Sequence, residues 1–211
     1  MARKGRARRG KLKVDVYLAF AIFVAVGVAT WSLDQSVRLA LMWLVLLAFA
    51  LSYASAQKLQ FSYTLADLAR GALAGLLVSV PVLLLARDFL VITSERLFPL
   101  DSVLSMLWSV VLIMPAVEVI YFRGLVYKEK GLWSSVLLYA GAGVVYFLLV
   151  TWNEHLPILA ALVCGMGLLG FVYGYVRGMY GLVSSLVCQA LAHLVLLLLP
   201  SMVLGLTRGV G

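Results

Sequence analysis

The sequence predicts an all-α fold: a polytopic transmembrane helical bundle of about seven spans, with its N-terminus in the cytoplasm. Three observations predict it. Hydrophobic residues make up 64% of the 211 positions and charged residues only 12%, against roughly 45–50% and 25% in a soluble domain. Apolar runs of the length that crosses bilayer hydrocarbon recur along the chain, and the short alternating segments of a β-barrel are missing. The basic residues also fall unevenly between successive loops, as they do in membrane proteins of fixed orientation. The formal charge of +8 is concentrated in the first thirteen residues, so it does not mark a nucleic-acid-binding face.

Residues 1–13 form a basic cytoplasmic tail carrying Arg3, Lys4, Arg6, Arg8, Arg9, Lys11 and Lys13. A basic start before an apolar run resembles a signal peptide, but the run is full length and no small-residue cleavage site follows it. The first span is therefore expected to be retained, its tail anchored against anionic headgroups. That span covers Val14–Trp31, and Leu33-Asp34-Gln35 makes a short turn. Ser36–Ala54 is the second span, and Gln57–Ser62 is a polar connection with Lys58. Leu65–Ala86 is the third, with a kink expected at Pro81. Arg87–Ser102 is a long connection that includes an apolar patch, Phe89–Ile92, suited to a short interfacial helix. These helices and loops, 14–102, make up the N-terminal half.

A second part, 103–199, carries the remaining spans. Val103–Arg123 is long enough to cross at about 1.5 Å per residue. Tyr127–Gly131 reads as a charged turn. Leu132–Thr151, Pro157–Val176 and Leu182–Leu199 follow, and Pro200 opens a C-terminal tail, 200–211. With the N-terminus inside and the spans alternating, thirteen of the seventeen Lys and Arg residues fall on the cytoplasmic side. Arg38, Arg87, Arg96 and Arg208 fall outside. This split is strongly positive-inside.

Some features read as packing. Cys164 and Cys188 lie in apolar spans without metal-ligand spacing. Gly71 and Gly75 recur at helical spacing, as do Gly170, Gly174 and Gly178. Such faces let a neighbouring backbone approach closely, within one bundle or across a dimer. Asn153-Glu154-His155 reads as a solvated loop. No H-E-x-x-H, P-loop or dinucleotide-binding fingerprint occurs.

The residues that stand out are ionisable groups inside apolar runs. Glu118 and Arg123 lie five residues apart in Val103–Tyr127. Such groups cost roughly 2.5–3.5 kcal/mol each on insertion scales, so each implies a partner and a role. Glu118 suits either a general base that activates water or a hydrogen-bonded lock between helices. At 100° per residue Arg123 stands about 140° round from Glu118, so a stacked ion pair is not expected. Arg123 is placed at the cytoplasmic end, where it can snorkel. His193, in the middle of the last span, is the expected partner of Glu118, with Gln189 one turn away to extend the network.

The stretch Ala116-Val117-Glu118-Val119-Ile120-Tyr121-Phe122-Arg123-Gly124 resembles the E-E-x-x-x-R motif of the CPBP family, the CAAX proteases and bacteriocin-processing enzymes. Val145–Thr151 resembles that family's F-x-x-x-H segment. Gly170–Gly174, Gly181–Val183 and Ala192-His193 resemble its last segment, which ends H-x-x-x-N. The resemblance covers roughly Val111–Leu198. It implies an intramembrane endopeptidase in which the first glutamate and the second-segment histidine hold the attacking water. The last histidine and asparagine would stabilise the oxyanion, giving Glu118, His193 and Arg123 as the catalytic set. Val119, Thr151 and Leu197, however, stand where the family has glutamate, histidine and asparagine. Losing one oxyanion donor typically costs about 10²–10³ in rate.

Two functions follow from that resemblance. One is glutamate-activated-water hydrolysis of a membrane-anchored peptide, weak or absent because of the three replacements. The other is a pseudoenzyme: a non-catalytic structural or regulatory subunit of a membrane protein complex on the same fold. No cofactor and no metal are expected, because one glutamate and one histidine under-ligand a divalent ion. The expected partners are the lipid bilayer and other membrane proteins or a membrane-anchored peptide, with no nucleic acid. The expected location is the plasma (cytoplasmic) membrane.

Overall fold

Apolar runs in this chain become helices because a backbone without water must satisfy its own N–H and C=O groups. The structure is a computed structural model and describes residues 15–56, 64–97, 103–151, 156–200 and 202. The basic tail, the Lys58 connection, the Asn153–His155 loop and the tail beyond 202 lie outside the described residues. Among the described residues every element is helical.

Helix α1 is Val16–Ala29, and Asp15 caps it by accepting from the backbone N–H of Tyr17 at 2.9 Å and of Leu18 at 3.4 Å. Helix α2 is Gln35–Ala56. Helix α3 is Leu65–Leu97, opened by Thr64, whose hydroxyl accepts from the Asp67 N–H at 3.1 Å and donates to its carboxylate at 2.7 Å. The expected kink lies at Ala86 (φ −125°, ψ 25°) rather than at Pro81. Residues 87–97 then continue as helix, where a loop or interfacial helix was expected.

The run from 103 to 151 has one non-helical residue, Gly131, at φ 85° and ψ −178°. We number the part before it α4 (103–130) and the part after it α5 (132–151). The charged turn expected over Tyr127–Gly131 is thus helix up to its last residue. A single glycine reverses the chain because only glycine takes positive φ without steric cost. Helix α6 is Leu156–Tyr180, and Gly181 at φ 96° separates it from α7, Leu182–Leu198.

Among the described residues, four helical stretches are long and apolar enough to cross a membrane: Gln35–Ser55, Leu65–Thr93, Leu104–Leu148 and Leu156–Tyr180. Val16–Ala29 and Leu182–Leu198 are shorter apolar helices. The chain has the helix lengths and polarity of a membrane-embedded bundle.

Helix α4 is the centre. Residues 121–126 are buried on every side, and the aromatic rings of Phe122, Tyr139 and Tyr173 meet edge to face with centroids 5.3 and 6.2 Å apart. Glycines set two of the closest approaches. A Cβ at Gly71 would strike the Ser184 carbonyl oxygen, and one at Gly75 would lie 2.6 Å from that of Cys188, so α3 rests directly on α7. The Gly170, Gly174 and Gly178 face meets Tyr139, Leu132 and Tyr127 of the same chain, which is packing inside one bundle.

Side chains also staple helices through backbone carbonyls. Tyr121 donates to Val16 O at 3.1 Å, Ser135 to Phe122 O at 2.8 Å and Ser185 to Tyr173 O at 2.9 Å. Arg38, expected as an outer loop charge, is instead 1% exposed. It donates to Gly27 O, Val145 O and the Gln35 side chain, tying α1, α2 and α5 together. A guanidinium has five donors and can bury its charge against carbonyl dipoles in this way.

At one end of the bundle four basic residues lie over tyrosine rings. Arg70 is 5.2 Å from the Tyr180 centroid, Lys128 5.9 Å from Tyr53, Lys130 5.0 Å from Tyr17 and Arg177 5.8 Å from Tyr127. Tyrosine and basic residues concentrate in this way at a membrane–water boundary.

Candidate functional site

The site is built where α4 and α7 abandon ordinary α-helical turns. Residues 107–113, 119–126 and 194–198 form wider π-helical turns. Glu118 and His193 immediately precede two of these stretches, and Arg123 lies inside one. Turns of this kind are rare and gather at functional sites, because the extra residue re-aims the side chains around it.

Pro115 explains one consequence. In the first π stretch the Met114 N–H bonds the Ser109 carbonyl, an i→i−5 step. The next step would pair residue 115 with Val110, but proline has no N–H. The Val110 carbonyl is left to another donor, and His193 Nδ1 lies 3.0 Å from it. A carbonyl only accepts, so Nδ1 carries the proton and donates.

This overturns the expected Glu118–His193 pair. Glu118 is fully buried, and its partner is Gln189, whose Nε2 donates to Glu118 Oε2 at 2.6 Å. The same amide lies 3.3 Å from the Tyr139 hydroxyl. Gln189 stands one turn before His193 on α7, so the helix reaches Glu118 through the amide and not the imidazole. Glu118 also faces the hydroxyls of Tyr139 and Tyr146 and the guanidinium of Arg123. Glu118 Oε1 and the Tyr146 hydroxyl have no partner in hydrogen-bond geometry.

Arg123 departs from expectation too. It does not snorkel: it is fully buried. Its guanidinium carbon lies 4.2 Å from the Tyr139 ring centroid, 5.5 Å from Tyr173 and 5.8 Å from Phe122, and it donates to Gly170 O at 3.3 Å. Three aromatic faces stabilise the charge where water is excluded. The 140° separation from Glu118 holds for an α-helix. Here the intervening turn is π-helical and brings residues five apart towards one side, so the two charges act on each other. No direct Glu118–Arg123 ion pair forms.

Comparison with protein-family models, curated proteins and solved structures finds no match to this chain.

Beside this polar cluster lies a cleft of about 210 Å³ between α3, α5, α6 and α7. Its floor includes Tyr139, Tyr146 and His193, and its walls are almost wholly apolar. Val82 and Phe89 on α3 and Ala161 on α6 are exposed at its rim. Among the described residues no three of His, Cys, Asp and Glu gather as metal ligands.

Tyr139 and Tyr146 are site residues that the sequence reading missed. They are seven residues apart on α5, two turns along one face, a signal that goes unnoticed while tyrosines are read only as interfacial residues. Thr151 is the last residue of α5.

Proposed function

We propose that the chain is a non-catalytic structural or regulatory subunit of a plasma-membrane complex. In this reading it crosses the bilayer seven times from a cytoplasmic N-terminus and is built on a CPBP-type core. The observation that carries the proposal is the bond from Gln189 to Glu118. A general base must present its carboxylate to water. Here the carboxylate is fully buried, and one oxygen is already taken by an amide from α7. His193, the remaining oxyanion donor of such a centre, gives its Nδ1 proton to a backbone carbonyl of α4. Two groups that would act on a peptide bond instead hold two helices together.

The four cation–tyrosine pairs favour the orientation. Arg70, Lys128, Lys130 and Arg177 all come to the end from which α1 starts, and the basic tail precedes α1. This is the charge asymmetry of a cytoplasmic face.

The test is a cleavage assay on purified, reconstituted protein with membrane-anchored peptides, and Glu118→Gln as the control. The expected result is no turnover by either protein and a stoichiometric partner retained in mild detergent. Turnover that Glu118→Gln abolishes overturns the proposal in favour of glutamate-activated-water hydrolysis.

A further inference from the structure

The cleft beside the polar cluster has a mouth and a floor of different chemistry. Its rim residues Val82, Phe89 and Ala161 are exposed on α3 and α6, both long and apolar enough to span a bilayer. The surroundings of such a mouth are lipid chains, so whatever enters arrives from the membrane. The kink at Ala86 lays Phe89, Leu90 and Thr93 along the wall. The volume, about 210 Å³, exceeds the roughly 150 Å³ apolar cavity that is known to take benzene.

The floor is polar, and one of its groups is unsatisfied. Tyr146 is 2% exposed and lines the cleft, and its hydroxyl, which faces the Glu118 carboxyl, has no partner in hydrogen-bond geometry. Buried hydroxyls are nearly always paired, so this one is suited to a polar atom of an occupant. The occupant's charge is restricted as well. Asp, Glu, Lys and Arg are missing from the lining. A charged headgroup would therefore lose its water there with no counter-ion in the lining to replace it.

We propose that this cleft binds a neutral membrane lipid, its hydrocarbon chain lying between α3 and α6 and its hydroxyl or carbonyl bonded to Tyr146. Anionic amphiphiles of the same chain length are excluded because no lysine or arginine lines the cleft to offset the loss of their hydration.

The experiment uses the full chain in phosphatidylcholine nanodiscs with a trace of diazirine-bearing hexadecanol, irradiated and mapped by peptide mass spectrometry. The expected result is labelling of Tyr139 and Tyr146 as well as the rim, competed by monoolein and not by oleate. Gly165 lines the cleft and a Cβ there meets no atom within 4 Å, so the side chain of Gly165→Phe starts in open space and takes up cleft volume. It is expected to lower floor labelling at least about fivefold while labelling of the outward Leu84 and Leu168 is unchanged. Ala161→Trp narrows the mouth from the exposed rim and is expected to act in the same direction without touching the core. Tyr146→Phe is expected to raise the competing monoolein concentration about five- to tenfold, the size of one lost hydrogen bond. Floor labelling that is missing, or unchanged in both mouth variants, overturns the site. Equal competition by oleate and monoolein overturns the neutral headgroup.

Discussion

Gln189 Nε2 donates to Glu118 Oε2 at 2.6 Å, joining two helices whose contact residues are 71 positions apart in the chain. A hydrogen bond to a buried carboxyl contributes about 1.5–3 kcal/mol, and leaving that carboxyl unpaired costs at least as much. Gln189→Leu is therefore expected to destabilise the bundle by about 2–3 kcal/mol. Glu118→Gln keeps an acceptor for the amide and is expected to cost less. Thermal unfolding in detergent measures both, and the double mutant should show coupling above about 1 kcal/mol. Additive effects would dissolve the clasp.

Arg123 owes its place to flatness. A guanidinium stacks on rings, whereas an ammonium is a hydrated point charge. Arg123→Lys keeps the charge and is expected to lose about 1–2 kcal/mol, since it gives up the Tyr139 and Tyr173 faces. Thermal unfolding of that variant beside Arg123→Met separates shape from charge. A fully stable Lys variant would mean that charge alone matters.

Pro115 and His193 are linked through one carbonyl. Pro115→Ala supplies the missing N–H to Val110 and should make His193 less necessary. His193→Ala is expected to cost about 1–2 kcal/mol in the parent chain and clearly less in the Pro115→Ala background. The readout is the difference between the two unfolding midpoints. Equal losses in both backgrounds would break the link.

Close helix contact at Gly71 and Gly75 makes a sharp comparison. A methyl group at either meets α7 backbone, which cannot rotate away. Alanine there is expected to lower stability by about 1–3 kcal/mol through overpacking. Gly165→Ala has open space and is expected to be neutral or slightly stabilising. Parallel thermal melts of the three variants decide it.

The proposed orientation makes Lys128 and Asp34, an exposed residue of the turn between α1 and α2, opposite-side markers. In sealed spheroplasts a membrane-impermeant maleimide, used in a background with both native cysteines replaced by serine, is expected to label Asp34→Cys. Lys128→Cys should react only after lysis. The reverse pattern would invert the protein.

Much of the fold was legible because membrane helices follow from local composition. Apolar length fixed the helix ends to within a few residues for α2, α6 and α7, and the boundary proposed at Ala86 coincides with the one non-helical residue inside α3. Errors came where polarity misled. Charges at 128–130 looked like a turn but sit on a helix that Gly131 ends, because lysines at a membrane boundary are as well placed on a helix end as in a loop. Arg38 looked exposed but is buried, because its partners are carbonyls of α1 and α5, which no sequence window contains.

By itself the sequence determined the all-helical membrane class and the unusual residues Glu118, Arg123 and His193, since burying an ionisable group is costly wherever it occurs. Only the tertiary structure decided their partners. Glu118 met Gln189 rather than His193 because α7 is docked so that its amide, one turn earlier, lies against that carboxyl, and Arg123 turned inward to three aromatic rings because the π-helical turn over 119–126 departs from the 100° step on which a sequence argument depends. Hydrogen-bond direction is short-ranged and changes with a rotation of a few tens of degrees, whereas apolar burial tolerates it. Composition therefore specified the bundle, and packing specified the site.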